Sequence, residues 1–274
     1  MCPDVSQSGP SGHRMSASIS SEIARHLQIA REALCGHPHL EETAVHTARK
    51  TLKKIRAGLR LLEDAGAEVP GGAAALCRDV GRLLSELRDT DVCLQTLARL
   101  YPPPEEAPDG LVTKLDIRRH ELHETDTPGS AAREAIASDL EGLELILLGV
   151  HRGKARDQSI CEALEKTRAI GRKRYRKLSD SASPECFHDL RKAAKRELYQ
   201  GRYLLQGAAP DQHMETVHRL TEHLGLQQDL IVLSHVAEAL DELGTDLADR
   251  IDDAIRAENE QAMTLAKKVY GQRN

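Results

Sequence analysis

Residues 45–62 read VHTARKTLKKIRAGLRLL, and this stretch predicts how the whole chain is organised. At about 100° per residue, an α-helix would divide it into two neighbouring faces. Apolar residues recur at steps of three and four, as on a buried face: Val45, Ala48, Leu52, Ile55, Leu59 and Leu62. The neighbouring face is basic: His46, Arg49, Lys53, Arg56 and Arg60, with Lys50 at its edge. Such a row of cations repels itself unless it is well solvated or faces an anion.

A second stretch, FHDLRKAAKR at residues 187–196, repeats the basic pattern 142 positions later. A solvated helix face is the ordinary explanation for one charged stripe. Two copies instead favour a duplicated unit with two basic faces. The matching pairs are His46 and His188, Arg49 and Arg191, Lys50 and Lys192, Lys53 and Lys195, Lys54 and Arg196, and Arg60 and Arg202. The copy is imperfect, because Leu198 stands in the place of Arg56 and Glu197 enters the run.

Composition predicts an all-α fold. The chain has 274 residues, of which 40% are hydrophobic, so it can build a sizeable core. Only 2% are aromatic, and alternating β-branched runs are missing, which favours helix packing over sheets. The net charge is −5, so the basic character is local and the protein is not globally basic.

Turn signals divide the chain into two predicted up-down helical bundles, residues 19–150 and 151–274, related by duplication. Residues 1–18 are rich in Ser, Gly and Pro and are predicted to be disordered. Helices are predicted over residues 19–34, 45–62, 73–100, 107–124, 131–148, 157–178, 184–205, 211–243 and 246–270.

The helix before the second histidine carries a further basic run, from Arg168 to Lys177, that contains no acidic residue. Arg168, Arg172, Tyr175 and Arg176 share one face at helical spacing. A solvated face with favourable charge at a helix C-terminus is the alternative explanation.

Two acidic residues recur 140 positions apart, Asp89 in LSELRDTDV (residues 84–92) and Asp229 in LGLQQDLIV (residues 224–232). Each lies in an apolar helix, where a carboxylate needs a cation or a hydrogen-bond donor. The arginines of the two basic helices are the expected partners. We therefore interpret Asp89 and Asp229 as structural ion-pair residues and expect no catalytic residue.

The pattern His-x-x-Arg-x-x-x-(Lys/Arg)-(Lys/Arg), present twice and each time followed by an Asp-x-x-Val helix, resembles the CHAD domain, the conserved histidine α-helical domain. The resemblance covers about residues 19–270. It implies two pseudo-symmetric four-helix bundles with a basic groove or pore between them. It also implies binding of inorganic polyphosphate and association with polyphosphate granules. No second domain fits in the chain, so this looks like a stand-alone copy, and the activity of the tunnel enzyme attached to some relatives is not implied.

The expected polyphosphate-binding residues follow from the charge pattern and from this resemblance. They are His46, Arg49, Lys50, Lys53, Arg56, Arg60, Arg168, Arg172, Tyr175, Arg176, His188, Arg191, Lys192, Lys195, Arg196, Tyr199 and Arg202. Tyr199 joins the set because the family's second motif tends to carry a tyrosine there. Polyphosphate has about one charge per phosphate and no bases, so a line of Arg and Lys suits it.

Two alternatives stay open. The first is a nucleic-acid binder, although the scarcity of aromatic residues counts against single strands. The second is a metal-dependent phosphohydrolase. The 13 histidines invite it, but only His120 and His123 stand at helical spacing, and His213, His218 and His223 step by five.

The remaining expectations concern the thiols, bound metals or cofactors, and the cellular location. The six cysteines form no CxxC pair, so we expect reduced thiols, no bound metal and no cofactor. We expect a cytoplasmic protein, because the sequence shows neither a signal peptide nor an apolar run long enough to span a membrane. The sequence does not indicate an oligomeric state.

Overall fold

The computed structural model describes residues 14–35, 42–69, 71–124, 136–145, 155–178, 183–205 and 208–271, and their regular secondary structure is helical throughout. This confirms the predicted all-α class. The helices are α1 (Arg14–Cys35), α2 (Glu42–Asp64), α3 (Ala73–Leu83), α4 (Ser85–Leu100), α5 (Asp109–Glu124), α6 (136–145), α7 (Asp157–Tyr175), α8 (Pro184–Leu205), α9 (Gln212–Ala239) and α10 (Thr245–Tyr270).

Helix α2 buries the apolar face that its sequence predicts. Its six apolar positions from Val45 to Leu62 are each at most 1% exposed. They pack in one hydrophobic cluster with Ile19, Ile23 and Leu27 of α1. With this side of α2 fixed against α1, the neighbouring basic face is directed away from the core.

The hydrophobic clusters cross residue 150, the predicted boundary between the bundles. One cluster joins α1, α2, α3 and α6 to the start of α7. A second joins α4 and α5 to α9 and α10. Helix α2 also contacts α8, so the helices that carry the two basic motifs are neighbours. The boundary itself and the internal duplication stay predictions.

The chain becomes helical earlier than predicted. Helix α1 begins at Arg14, so the prediction of disorder is wrong for residues 14–18, while residues 1–13 lie outside the described part. Met15 and Ser16 are buried, and the Met15 amide donates a hydrogen bond to Asp157 Oδ1 at 3.0 Å. A contact with α7 therefore orders a segment whose composition alone predicts disorder.

The single helix predicted over residues 73–100 is broken at Leu84, which joins α3 to α4 with φ −90° and ψ 5°. The Ser85 hydroxyl donates a hydrogen bond to the Arg82 carbonyl at the break. One Nη of Arg49 donates to the Gly81 carbonyl at 2.6 Å. No proline marks the break, and a residue of another helix binds beside it, so helical periodicity could not reveal it.

Candidate functional site

The structure brings cations of both sequence motifs together. We call them the central basic cluster: Arg49, Lys50 and Lys53 on α2, Arg88 on α4, and Arg191 and Lys195 on α8. Burial, followed by the charges of Arg191 and Arg49, lowers the pKa of Lys53 to about 8. Lys195 and Arg88 act on Lys53 in the same direction. The second lysine behaves alike, since burial and the charges of Arg191 and Lys50 lower the pKa of Lys195 to about 8.

Two of the three arginines of this cluster, Arg49 and Arg191, are half-buried and lie near Asp89 and Asp229. Burial lowers the pKa of Arg49, and the charge of Asp89 opposes this effect. Burial raises the pKa of Asp229, and Arg191 is the strongest opposing charge. The Nε of Arg191 is buried, with no hydrogen-bond partner among the described residues. Arg191 therefore has an unused donor next to a partly buried carboxylate.

A second basic group lies further along the same two helices. Arg196 of α8 is half-buried, and burial together with the charges of Arg60 and Arg56 lowers its pKa. Arg60 also pairs with Asp64 at 3.1 Å and with Glu63 at 3.5 Å. The cations at this end of α2 are thus partly neutralised by local acids.

The two motif histidines are in different surroundings. His46 is exposed in the first turns of α2. His188 is half-buried, and its Nδ1 lies 2.6 Å from the Gln228 Oε1 of α9. Because an amide oxygen can only accept, Nδ1 of His188 carries the proton in this contact.

Arg168 has a separate set of partners, which we call the Glu197 network. The Glu197 carboxylate is fully buried and lies 3.2 Å from Arg168 Nε. It also bonds to His213 Nε2 at 2.7 Å and accepts from the Tyr270 hydroxyl at 2.8 Å. Although burial raises it, the bonds from His213 and Tyr270 hold the pKa of Glu197 below its ordinary value.

Four other predicted binding residues have neighbours outside the central basic cluster. Arg172 is half-buried near Tyr270, and Tyr175 packs in a core cluster. Arg176 is exposed at the C-cap of α7. The Lys192 ammonium pairs with Asp189 at 2.8 Å.

Sequence reasoning missed two cations that the structure places at the site. Arg88 acts on both Lys53 and Asp229. Lys54 lies near Lys50 and Arg202. Burial is the main cause of its lowered pKa, and the charges of these two neighbours lower the pKa further. Both residues stand inside the quoted motifs, Arg88 directly before Asp89 and Lys54 at the position that matches Arg196. Their places in those motifs were the available signal.

Among the described residues, no group of three or more His, Cys, Asp or Glu side chains is placed to hold a metal ion. Cys77, Cys93, Cys161 and Cys186 are free thiols. None of the described helices is both long enough and apolar enough to cross a membrane.

Comparison with known proteins places the chain in a family. The family model of the CHAD domain matches residues 21–238, which is well over half of the chain. Among solved structures, the crystal structure of the CHAD domain from the plant Ricinus communis is similar, with a TM-score of 0.70 at 15% sequence identity. That match covers 95% of this chain and 92% of the plant domain. No curated protein matches. With a family model across most of its length and the fold of a solved member, the chain belongs to the CHAD domain family.

Proposed function

We propose that this protein binds inorganic polyphosphate, without catalysing a reaction, in a basic groove centred on the central basic cluster. The observation that carries the proposal is the closeness of cations from both motifs in a chain whose net charge is −5. Bringing like charges together destabilises the free protein. A bound polyanion would remove that repulsion and supply the missing acceptors.

The state of individual side chains supports an anionic ligand. Burial and then the charges of Arg191 and Arg49 lower the pKa of Lys53, so an anion bound beside this ammonium would favour its charged form. The Nε of Arg191, which has no hydrogen-bond partner in the part of the chain that the structure describes, adds a directed donor. Charge-assisted hydrogen bonds from such groups to phosphate oxygens are about twice as strong as neutral ones.

The extent of the charge favours a linear ligand over a single phosphate. Further positive side chains add to the central basic cluster: Arg56 lies near Arg196, and Lys54 lies near Lys50 and Arg202. The protein has one Phe, five Tyr and no Trp, so few aromatic side chains could stack on bases. A flexible mineral polyanion matches both features better than a nucleic acid does.

Charge reversal tests the proposal. The variant Arg49→Glu/Lys53→Glu should bind long-chain polyphosphate at least about a hundredfold more weakly at low salt, since two charge-assisted contacts are lost. Arg119→Glu/Arg256→Glu is the matched control, because both arginines are exposed on other helices and the net-charge change is the same. Wild-type binding should also fall steeply with salt. The proposal fails if the wild type binds the long chain no better than orthophosphate.

Competition separates polyphosphate from nucleic acid. We expect DNA or RNA to displace polyphosphate poorly when the amounts are matched by phosphate. The proposal also includes a cytoplasmic location on polyphosphate granules. A fluorescent fusion of the wild type should then co-localise with the granules, while Arg49→Glu/Lys53→Glu spreads through the cytoplasm.

A further inference from the structure

A small cavity lies between α1, α2 and α8, beside the central basic cluster. It has a volume of about 130 Å³, roughly that of four waters in the liquid. This is enough for one or two phosphate groups. The residues that line it are Glu22, Arg25, His26, Lys54, Tyr199, Arg202 and Tyr203.

The polar groups of this cavity are unequally satisfied. The Tyr203 hydroxyl donates to the Lys54 carbonyl at 3.1 Å and lies 3.5 Å from His26 Nδ1. Tyr199 is only 7% exposed, and its hydroxyl has no hydrogen-bond partner among the described residues. Tyr199 is one of the residues that line the cavity, and a hydroxyl there without a protein partner is a donor available to a ligand.

The charges around the cavity favour an anion. Arg25, Lys54 and Arg202 provide three positive charges, and Glu22 provides one negative charge. Burial, and after it the charge of Lys54, lowers the pKa of His26 to about 4, so this histidine is neutral near pH 7. Glu22 is bonded to Arg25 Nε at 2.8 Å, which leaves Lys54 and Arg202 as the cations without an acid bound to them among the described residues.

Positively charged side chains connect the cavity with the proposed groove. Lys54 lies near Lys50, and Arg202 lies near Lys195, and both neighbours belong to the central basic cluster. One end of a polyphosphate chain that follows the central basic cluster would therefore reach the cavity. The end group of such a chain differs from the internal ones, because it carries an additional ionisable oxygen and can become doubly charged.

We propose that this cavity is an end-recognition subsite, in which Tyr199, Lys54 and Arg202 hold the terminal phosphate group of a linear polyphosphate. The subsite rests on the proposed function, since it assigns one end of the same ligand. It predicts a preference for chains that have free ends over cyclic phosphates, which have none.

Linear tripolyphosphate and cyclic trimetaphosphate are the probes, with affinity measured by calorimetry. The Tyr199→Phe variant should lose about tenfold in affinity for the linear compound, the usual size for a hydrogen bond to a charged group. Its affinity for the cyclic compound should not change. Tyr101→Phe is the matched control, because the Tyr101 hydroxyl bonds to Asp246, remote from the cavity, and should change neither affinity. Equal effects of Tyr199→Phe on both compounds, or none on either, would overturn the subsite.

A second variant tests the same subsite through an expected increase in affinity. Glu22→Gln removes the negative charge from the cavity and should strengthen binding of tripolyphosphate several-fold, with trimetaphosphate unaffected. Weaker or unchanged binding of tripolyphosphate would contradict the subsite.

The two proposals fail in different ways. If the end preference is absent while Arg49→Glu/Lys53→Glu still abolishes long-chain binding, only the subsite is wrong. If long chains bind no better than orthophosphate while Tyr199→Phe still weakens tripolyphosphate, the groove is wrong and the cavity is a separate anion site.

Discussion

Helix α8 contributes residues to two charged clusters. In one of them opposite charges are paired, and in the other cations lie beside cations. In the Glu197 network a fully buried carboxylate is surrounded by Arg168, His213 and Tyr270. In the central basic cluster, Arg191 and Lys195 stand beside other cations. A buried charge that has all its partners is costly to disturb, because removing one partner leaves another charge buried and unpaired. Cations gathered beside one another repel each other in the free protein, and the proposed binding of an anion rests on this difference.

The same contrast explains why Glu197 does not interrupt the second basic motif. Its place in the first motif is taken by Ile55, a fully buried residue of α2. Glu197 is likewise fully buried, so its charge is turned towards α7, α9 and α10. The basic face of α8 therefore keeps its character even though the sequence of the motif contains an acid.

The largest effect should come from breaking the Glu197 network. Glu197→Ala leaves the half-buried Arg168 without its inner partner, and this should lower the free energy of unfolding by about 3–5 kcal/mol. Urea denaturation measures it. Glu165→Ala, which removes the exposed partner of Arg168, should cost less than about 1 kcal/mol. Similar losses for the two variants would show that the network is no more important than a surface pair.

The next effect concerns pH and the central basic cluster. Lys53 and Lys195 have pKa values lowered to about 8, and a bound polyanion should return them towards 10.5. Binding then takes up protons, so affinity is fully present below pH 8 and is lost as the pH rises towards 10.5. Between pH 7 and 9 we expect a loss of about tenfold for each lysine that titrates. Calorimetry in buffers of different ionisation enthalpy would detect the proton uptake.

The variant Lys53→Met/Lys195→Met provides the control for the pH experiment. Its affinity should be lower at pH 7 and nearly independent of pH up to 9. A wild-type affinity that is equally flat across this range would contradict proton uptake by the two lysines.

The smallest effect has the opposite sign from the first. Lys53→Met should raise the free energy of unfolding slightly, by about 0.5 kcal/mol, because it removes repulsion from neighbouring cations. The same change should weaken polyphosphate binding. Lys166→Met, at an exposed position of α7, should leave both quantities nearly unchanged. Thermal unfolding of the three proteins would show the trade-off, and a lower melting temperature for Lys53→Met would contradict it.

Local sequence patterns predicted the parts of the fold that depend on one helix at a time. The apolar face of α2 and the full extent of α8 follow from periodicity and from Pro184 at a helix start. The break at Leu84 and the early start of α1 depend on contacts with other helices, namely Arg49 with Gly81 and Met15 with Asp157. Such contacts leave no periodic signal in either helix.

The site shows the same division. Charge pattern placed Arg49, Lys53, Arg191 and Lys195 in one set, and the structure brings these four side chains near one another. It could not show that Arg168 would be held by Glu197, since the two residues are 29 positions apart on different helices. Nor could it show that Tyr199 borders a cavity, because a cavity depends on three helices at once.

The contacts between α2 and α8 have a consequence for how this protein could change. The Gln200 amide donates to the Ala57 carbonyl at 3.3 Å, and the Tyr203 hydroxyl donates to the Lys54 carbonyl. Both acceptors belong to the main chain, so the register of the two helices does not depend on which cationic side chains they carry. Arginine, lysine or neutral residues could be exchanged along them while the spacing between the rows is kept. The distance between the two helices would then stay constant while their side chains change. Selectivity for anions of different length and charge density could be adjusted in this way, by evolution or by design.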